Sequence, residues 1–234
     1  MNILPINKVI LASFAFALSH WKKVLEVSVI PLIVSAPFLL ILPDILLLMD
    51  QVIVSNQVIP VNLPENLFVY LLLFMYGYSM LSINVYKLVI LGESSVNGFV
   101  PLLDAKKLIR FIGLTLIIGF VTILPVMLTG WLFLQLAVYF LIVPLTLNFV
   151  AISIDQPFKH RWSLSFATHL NLFLLQALLP ALVSIFIAVI SDTIGIGGTL
   201  DWVVKVVIYY WTLVNLALCY RLINNNNGIN NENY

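Results

Sequence analysis

The chain has 234 residues, of which 62% are hydrophobic and only 9% charged, with a mean hydropathy of +1.10 and a formal net charge of +1. Soluble domains carry about 25% charged residues, so most of this chain has lipid rather than water as its solvent. A charge this close to zero excludes the broad positive field that draws nucleic acid, and a single cysteine, Cys219, excludes an internal disulfide.

Residues Lys8–Trp21 read as a short amphipathic helix lying at the membrane surface ahead of the first span. The same stretch has the layout of a secretory signal segment, with Lys8, an apolar run and the small-residue triplet Ala15-Phe16-Ala17. Trp21, Lys22 and Lys23 follow at once. Cleavage there would strand two lysines on the outer side, against the bias of the rest of the chain, so the surface helix is preferred and the signal segment stays open. The first span is expected at about Val24–Leu48. Pro31, Pro37 and Pro43 lie within it, which predicts a bend or an end near Pro43. Asp44–Glu65 then forms a loop with three acids and no Lys or Arg, and QVIVSNQVIPV within it has a short strand-like alternation.

The second span covers about Asn66–Leu91. Gly92 to Ser95 make a loop, and Leu102–Arg110, with Asp104, Lys106, Lys107 and Arg110, makes a second charged segment before a span. No charge occurs between Arg110 and Asp155, which predicts two spans, about Leu108–Thr129 and Trp131–Ile152, joined by a tight turn at Thr129-Gly130. Asp155, Lys159, His160 and Arg161 interrupt the next apolar stretch. Trp162–His169 forms a third surface segment, and a fifth span follows at about Leu170–Ile190. Ser191–Asp201, with Gly195, Gly197 and Gly198, is expected as a flexible outer loop. The sixth span is about Trp202–Ile223. Residues 1–223 thus form one six-helix membrane domain, and the Asn-rich residues 224–234 a disordered tail.

Lysine and arginine in short loops mark the cytoplasmic side. Ten of the 11 fall on one side of this arrangement, Lys205 being the exception, which places both termini in the cytoplasm. The expected fold is therefore an all-α integral membrane protein of about six transmembrane helices, arranged as three hairpins, each preceded by a short cytoplasmic amphipathic segment. The first and third segments match best: Ser19-His20 precedes Pro31 and Ser35 at the same spacings as Thr168-His169 precedes Pro180 and Ser184. A weak threefold repeat follows, with chance similarity among apolar segments as the competing explanation.

Sites of chemistry are sparse. The span interiors hold no acid or base, and no nucleotide-binding loop, nucleophile elbow or zinc-helix motif occurs. His20, His160 and His169 lie in separate segments without ligand spacing and read as interfacial residues. No catalytic, cofactor-binding or metal residue is assigned. What remains are amides in the cytoplasmic halves of the spans: Asn84, Asn148, Gln176 and Asn215. They either pack helices together or line a polar vestibule open to the cytoplasm.

The paired segments LGESSVNGFVPLLDAKKLIRFIG and ISIDQPFKHRWSLSFATHLNLF carry a resemblance. Their order of span end, acid, amphipathic segment and next span resembles a broad group of uncharacterised bacterial polytopic membrane proteins. It is similar to the membrane domain joined to some glycerophosphodiester phosphodiesterases. The resemblance implies a six-helix domain in a bacterial cytoplasmic (inner) membrane and carries over no site residues. Together these features point to a non-enzymatic polytopic protein whose partners are membrane lipids, other membrane proteins or a second copy of itself. A small-solute transporter or channel is the alternative, favoured by the matching Pro31 and Pro180, and a lipid-modifying enzyme comes third.

Overall fold

The computed structural model describes residues 4–54, 65–98, 104–157, 164–194 and 197–229. Among them the secondary structure is helical and no strand occurs. The helices are α1 (Ile6–Val54), α2 (Leu67–Leu91), α3 (Ala105–Thr129), α4 (Leu132–Ser153), α5 (Phe166–Phe173), α6 (Leu179–Ile194) and α7 (Gly197–Ile229). A π-helical stretch, Leu174–Leu178, joins α5 to α6. Six of the helical segments are long and apolar enough to cross a membrane. Their number agrees with the expectation from sequence, and the bounds agree closely for the second, third, fourth and sixth spans.

The first span departs from expectation in two ways. The segment 6–20 is helical, but it is continuous with the span: α1 bends at His20, where φ is −115° and ψ 16°, and runs on. The face of residues 6–20 turned away from the bundle carries Leu11, Phe14 and Leu18, so its outer side is apolar as well. Beyond the bend, α1 passes through Pro31, Pro37 and Pro43 without ending, and residues 44–54, expected as loop, are helical. In lipid an unpaired backbone group costs several kcal/mol, so carrying a proline inside the helix is cheaper than opening the helix around it. The remainder of the expected loop, 55–64, lies outside the described residues.

The other segments expected ahead of spans are likewise built into helices. Residues 105–110 are the first turns of α3, while 102–103 lie outside the described residues. His169 sits within α5, and 162–163 are outside. The outer loop expected over 191–201 is much shorter, because α6 continues to Ile194 and α7 begins at Gly197. At its other end α7 continues to Ile229.

Local signals explain where the helices start and stop. Asp104 caps α3 by accepting from the Lys107 N–H at 3.0 Å, and Ser165 caps α5 by accepting from Thr168 N–H at 3.3 Å. Gly130 ends α3 in the left-handed conformation, φ 68°, with its N–H on Val126 O at 2.8 Å. That residue makes the tight turn into α4 possible.

The helices divide into inner and outer sets. Within the most apolar window of each span, 61% of α4, 44% of α2 and 39% of α7 is buried, against 22% of α1, 22% of α3 and 11% of the α5–α6 span. The inner three pack on one another, while α1 lies chiefly on α2, α3 on α4, and α6 on α7. The core is also lopsided along its axis. Buried residues concentrate in Gly77–Val89 of α2, Ile142–Ser153 of α4 and Leu213–Tyr220 of α7. The opposite halves of these helices expose Phe68, Leu72, Phe133, Leu136, Val203 and Val207. The buried end is the one that gathers Lys23, Lys87 and Lys107, and is called the basic end below.

Gly77 sets the approach of α1 to α2. A Cβ there would come within 2.7 Å of the Pro31 carbonyl oxygen and closer still to Ser35 Oγ. Backbone cannot move aside as a flexible side chain could. Gly77→Ala is expected to destabilise the protein by about 1–3 kcal/mol through overpacking, and a thermal melt in mild detergent checks it, whereas Gly113→Ala, which meets nothing within 4 Å, leaves the melt no lower and gains about 0.5–1 kcal/mol from the better helix former.

Candidate functional site

The basic end is held by an ion pair between helices. Lys107, in the first turn of α3, is only 6% exposed, and its ammonium donates to Asp155 Oδ2 at 2.8 Å. Asp104 Oδ2 stands 3.9 Å away, and the Lys87 ammonium of α2 lies within electrostatic reach of Lys107, Asp155 and Asp104. Two lysines and two aspartates thus balance where α2, α3 and α4 meet. A buried ammonium without such partners would cost several kcal/mol.

Asp155 reaches Lys107 from an unusual backbone position. It is the only described non-glycine residue with positive φ, at 59°. Gln156 N–H bonds Ala151 O at 2.8 Å and Asp155 N–H bonds Ile152 O at 3.3 Å. These two bonds form the closing motif that normally takes glycine after a helix. Aspartate tolerates the left-handed conformation better than most residues, and here its carboxylate also answers Lys107.

A second polar group tethers α1 to the segment after α2. Lys23 Nζ donates to both oxygens of Glu26, at 2.8 and 2.9 Å, and Gly98 N–H reaches Glu26 Oε1 at 3.4 Å. A Cβ on Gly98 would meet the Glu26 backbone oxygen at 2.5 Å, so only glycine lets this segment lie so close to α1. His20, at the bend, is 3.9 Å from Glu93.

Inside the spans, α7 carries three consecutive residues that bind hydroxyls on other helices. Tyr209 pairs with Ser82 at 3.0 Å, Tyr210 donates to Ser28 at 2.6 Å, and Trp211 Nε1 donates to Ser13 at 2.8 Å. Ser13 and Ser28 stand on either side of the α1 bend, and each also donates to its own helix, on Ile10 O and Val24 O. Ser82 lies between the hydroxyls of Tyr209 and Tyr78. None of these contacts was named from the sequence. The signal that could have found them is Tyr-Tyr-Trp in the middle of a span, because amphipathic aromatics away from the headgroups need an internal partner.

His169 makes its contacts with a neighbouring helix. Its Nε2 donates to the carbonyl of Phe140 in α4, and its ring lies tilted against that of Phe140 with centroids 4.6 Å apart. Phe140 lies four residues before Pro144, which has no N–H to give it. The histidine therefore satisfies the carbonyl that the proline frees. His160 lies outside the described residues, and His20 contacts its own helix at Phe16 O, at 3.2 Å. Among the described residues no cluster of three His, Cys, Asp or Glu side chains could hold a metal.

The four amides are distributed over the bundle. Asn148 is fully buried in α4 and donates to Leu145 O at 3.2 Å. Gln176, in the π-helical stretch, reaches Thr212 O of α7 at 3.4 Å. Asn84 of α2 and Asn215 of α7 are buried, with Asn84 Nδ2 and both ends of the Asn215 amide lacking a partner among the described residues.

Comparison with protein-family models, with curated proteins and with solved structures finds no match in any of the three. The class of the protein rests on its own physics: six long apolar helices with exposed apolar outer faces make it a multi-pass α-helical membrane protein.

Two expectations follow. Asp155→Ala should lower stability by about 1–3 kcal/mol, because it leaves Lys107 short of a partner, while Asp155→Gly should lose roughly 1 kcal/mol less, because glycine accepts the positive φ without strain; chemical denaturation of the two variants side by side ranks them. His169→Leu should cost about 1–3 kcal/mol by stranding the Phe140 carbonyl. In a Pro144→Ala background, where residue 144 regains its N–H, the same substitution should cost markedly less, and a double-mutant cycle measures the difference.

Proposed function

We propose that this protein is a non-enzymatic component of a bacterial cytoplasmic (inner) membrane, with both termini in the cytoplasm, that works by binding anionic lipid or a membrane partner at its basic end. The observation that carries this reading is the concentration of exposed cations there. Lys22, Lys106, Arg110 and Arg221 are all exposed, in contrast to the paired and buried Lys107. A basic residue at an anionic leaflet contributes about 1 kcal/mol, so several together favour such lipid strongly over neutral lipid. Lys22 also lies over the Trp21 ring at 5.8 Å, an arrangement suited to the headgroup layer. The test is mass spectrometry of the protein released from nanodiscs of mixed anionic and zwitterionic lipid. Anionic lipid should be retained in excess, and Lys22→Gln, Lys106→Gln, Arg110→Gln and Arg221→Gln together should abolish the excess. Equal retention of both lipids by the native protein would sink the idea. Reporter fusions at each end should both report cytoplasm.

A second reading, a small-solute transporter or channel, is favoured by one feature. The π-helical stretch Leu174–Leu178 ends two residues before Pro180, which gives the fifth span an irregular backbone near its middle. Solute flux in reconstituted vesicles that falls in Pro180→Ala would support it, and no flux across a broad solute panel would retire it.

A further inference from the structure

α3 is buried along one side only. Lys107, Phe111, Leu114, Ile118 and Pro125 face inward, and Phe111 packs on Phe149 of α4 with ring centroids 4.7 Å apart. The other side is open along the length of the helix. Ile109, Leu116, Ile117, Phe120, Met127 and Leu128 recur there at helical spacing, and each is at least 59% exposed.

Two features set this face apart from bare hydrocarbon. Lys106 and Arg110 stand at its basic end, one turn apart, with Cβ atoms about 5–6 Å from each other by helix geometry. Both are exposed, and among the described residues neither makes an ion pair. The next position in line, one turn further along, is Gly113, where an added Cβ would meet nothing within 4 Å. Its neighbours on the helix surface, Ile109, Arg110, Leu116 and Ile117, are all exposed and all long. The glycine is therefore a notch among four projecting side chains.

Two cations, a notch and an apolar stripe follow one another in the order of an anionic phospholipid: phosphate, glycerol ester, acyl chain. Arginine offers paired donors to phosphate oxygens, and lysine adds a point charge beside them. A second copy of the chain fits less well. Two copies in one membrane share an orientation, so a symmetric contact through this face would bring four cations together. We propose that the outer face of α3 seats one anionic glycerophospholipid, with its phosphate between Lys106 and Arg110 and one acyl chain crossing Gly113. The proposal rests on the reading of the basic end as a surface for anionic lipid. It goes beyond that reading by giving one lipid a fixed place and a seat for its chain.

The experiment places the full chain in nanodiscs of equal phosphatidylglycerol and phosphatidylethanolamine. Either lipid in turn includes a trace carrying a diazirine on its acyl chain, and peptide mass spectrometry locates the label after illumination. The phosphatidylglycerol probe should label residues 113–124 roughly tenfold more than the phosphatidylethanolamine probe. Lys106→Gln with Arg110→Gln should bring the two probes level on α3, whereas Lys22→Gln with Arg221→Gln should leave α3 labelling as it was. Gly113→Leu keeps both cations and grows into open space, so it should fold normally and cut phosphatidylglycerol labelling of α3 several-fold. Preferential labelling elsewhere at the basic end, with the two probes level on α3, would overturn this site and leave the broader lipid reading standing. Equal labelling over the whole protein would overturn both. Indifference of the α3 label to Gly113→Leu, or a crosslink joining two copies through α3, would also overturn the proposal.

Discussion

A backbone or side-chain polar group taken into lipid is costly without a partner, and much of the interior is arranged around that cost. The bond from His169 to the Phe140 carbonyl shows it most directly. Pro144 removes one N–H from α4 and so releases one carbonyl. A side chain from another helix answers that carbonyl and, in doing so, fixes α5 against α4. The cost of a proline in a membrane helix is thereby converted into a specific helix–helix contact. Phe140 reinforces it through rings on both sides, Phe173 at 5.3 Å and Phe166 at 6.1 Å.

The same rule organises α7. Tyr209, Tyr210 and Trp211 each meet a serine hydroxyl, and the three serines belong to α2 and to both parts of α1. Serine in a membrane helix can donate to its own backbone and still accept from elsewhere. It therefore supplies a docking point without leaving a stranded hydrogen. These bonds lie beside the tightly packed aromatic group in which Phe111 meets Phe149 at 4.7 Å and both Tyr78 and Tyr86 at 6.4 Å. Apolar burial alone discriminates poorly between helix pairs in lipid, since hydrocarbon surrounds every face. Polar bonds and close approaches such as Gly77 on Pro31 supply that discrimination.

At the basic end the solvent changes and so does the device. Lys107 is buried but close enough to the bundle end to be met by Asp155, an aspartate 72% exposed on its side chain. The pair joins the start of α3 to the end of α4, and the positive φ of Asp155 aims the carboxylate. The charges left exposed at this end, Lys22, Lys106, Arg110 and Arg221, have no comparable role in holding helices together and are free to meet headgroups.

The class of the fold and the number of spans were legible in the chain alone, because hydropathy and the spacing of charges report how each segment partitions between water and lipid, and partition is a local property. It also located the charged interruptions that become the basic end. It misjudged the reach of α1 beyond Pro43, where a rule learned in water was applied to a helix that has no water to bond with. Only the tertiary structure decided that α2, α4 and α7 form the inside, that Lys107 is buried while Lys106 beside it is exposed, and that His169 serves a proline in another helix. Nor could the sequence separate Asn148, which has found a backbone acceptor, from Asn215, which has none among the described residues. The physical reason is common to all four: hydrophobicity is summed along the chain, whereas a hydrogen bond depends on which atom of a distant segment arrives within 3 Å or so.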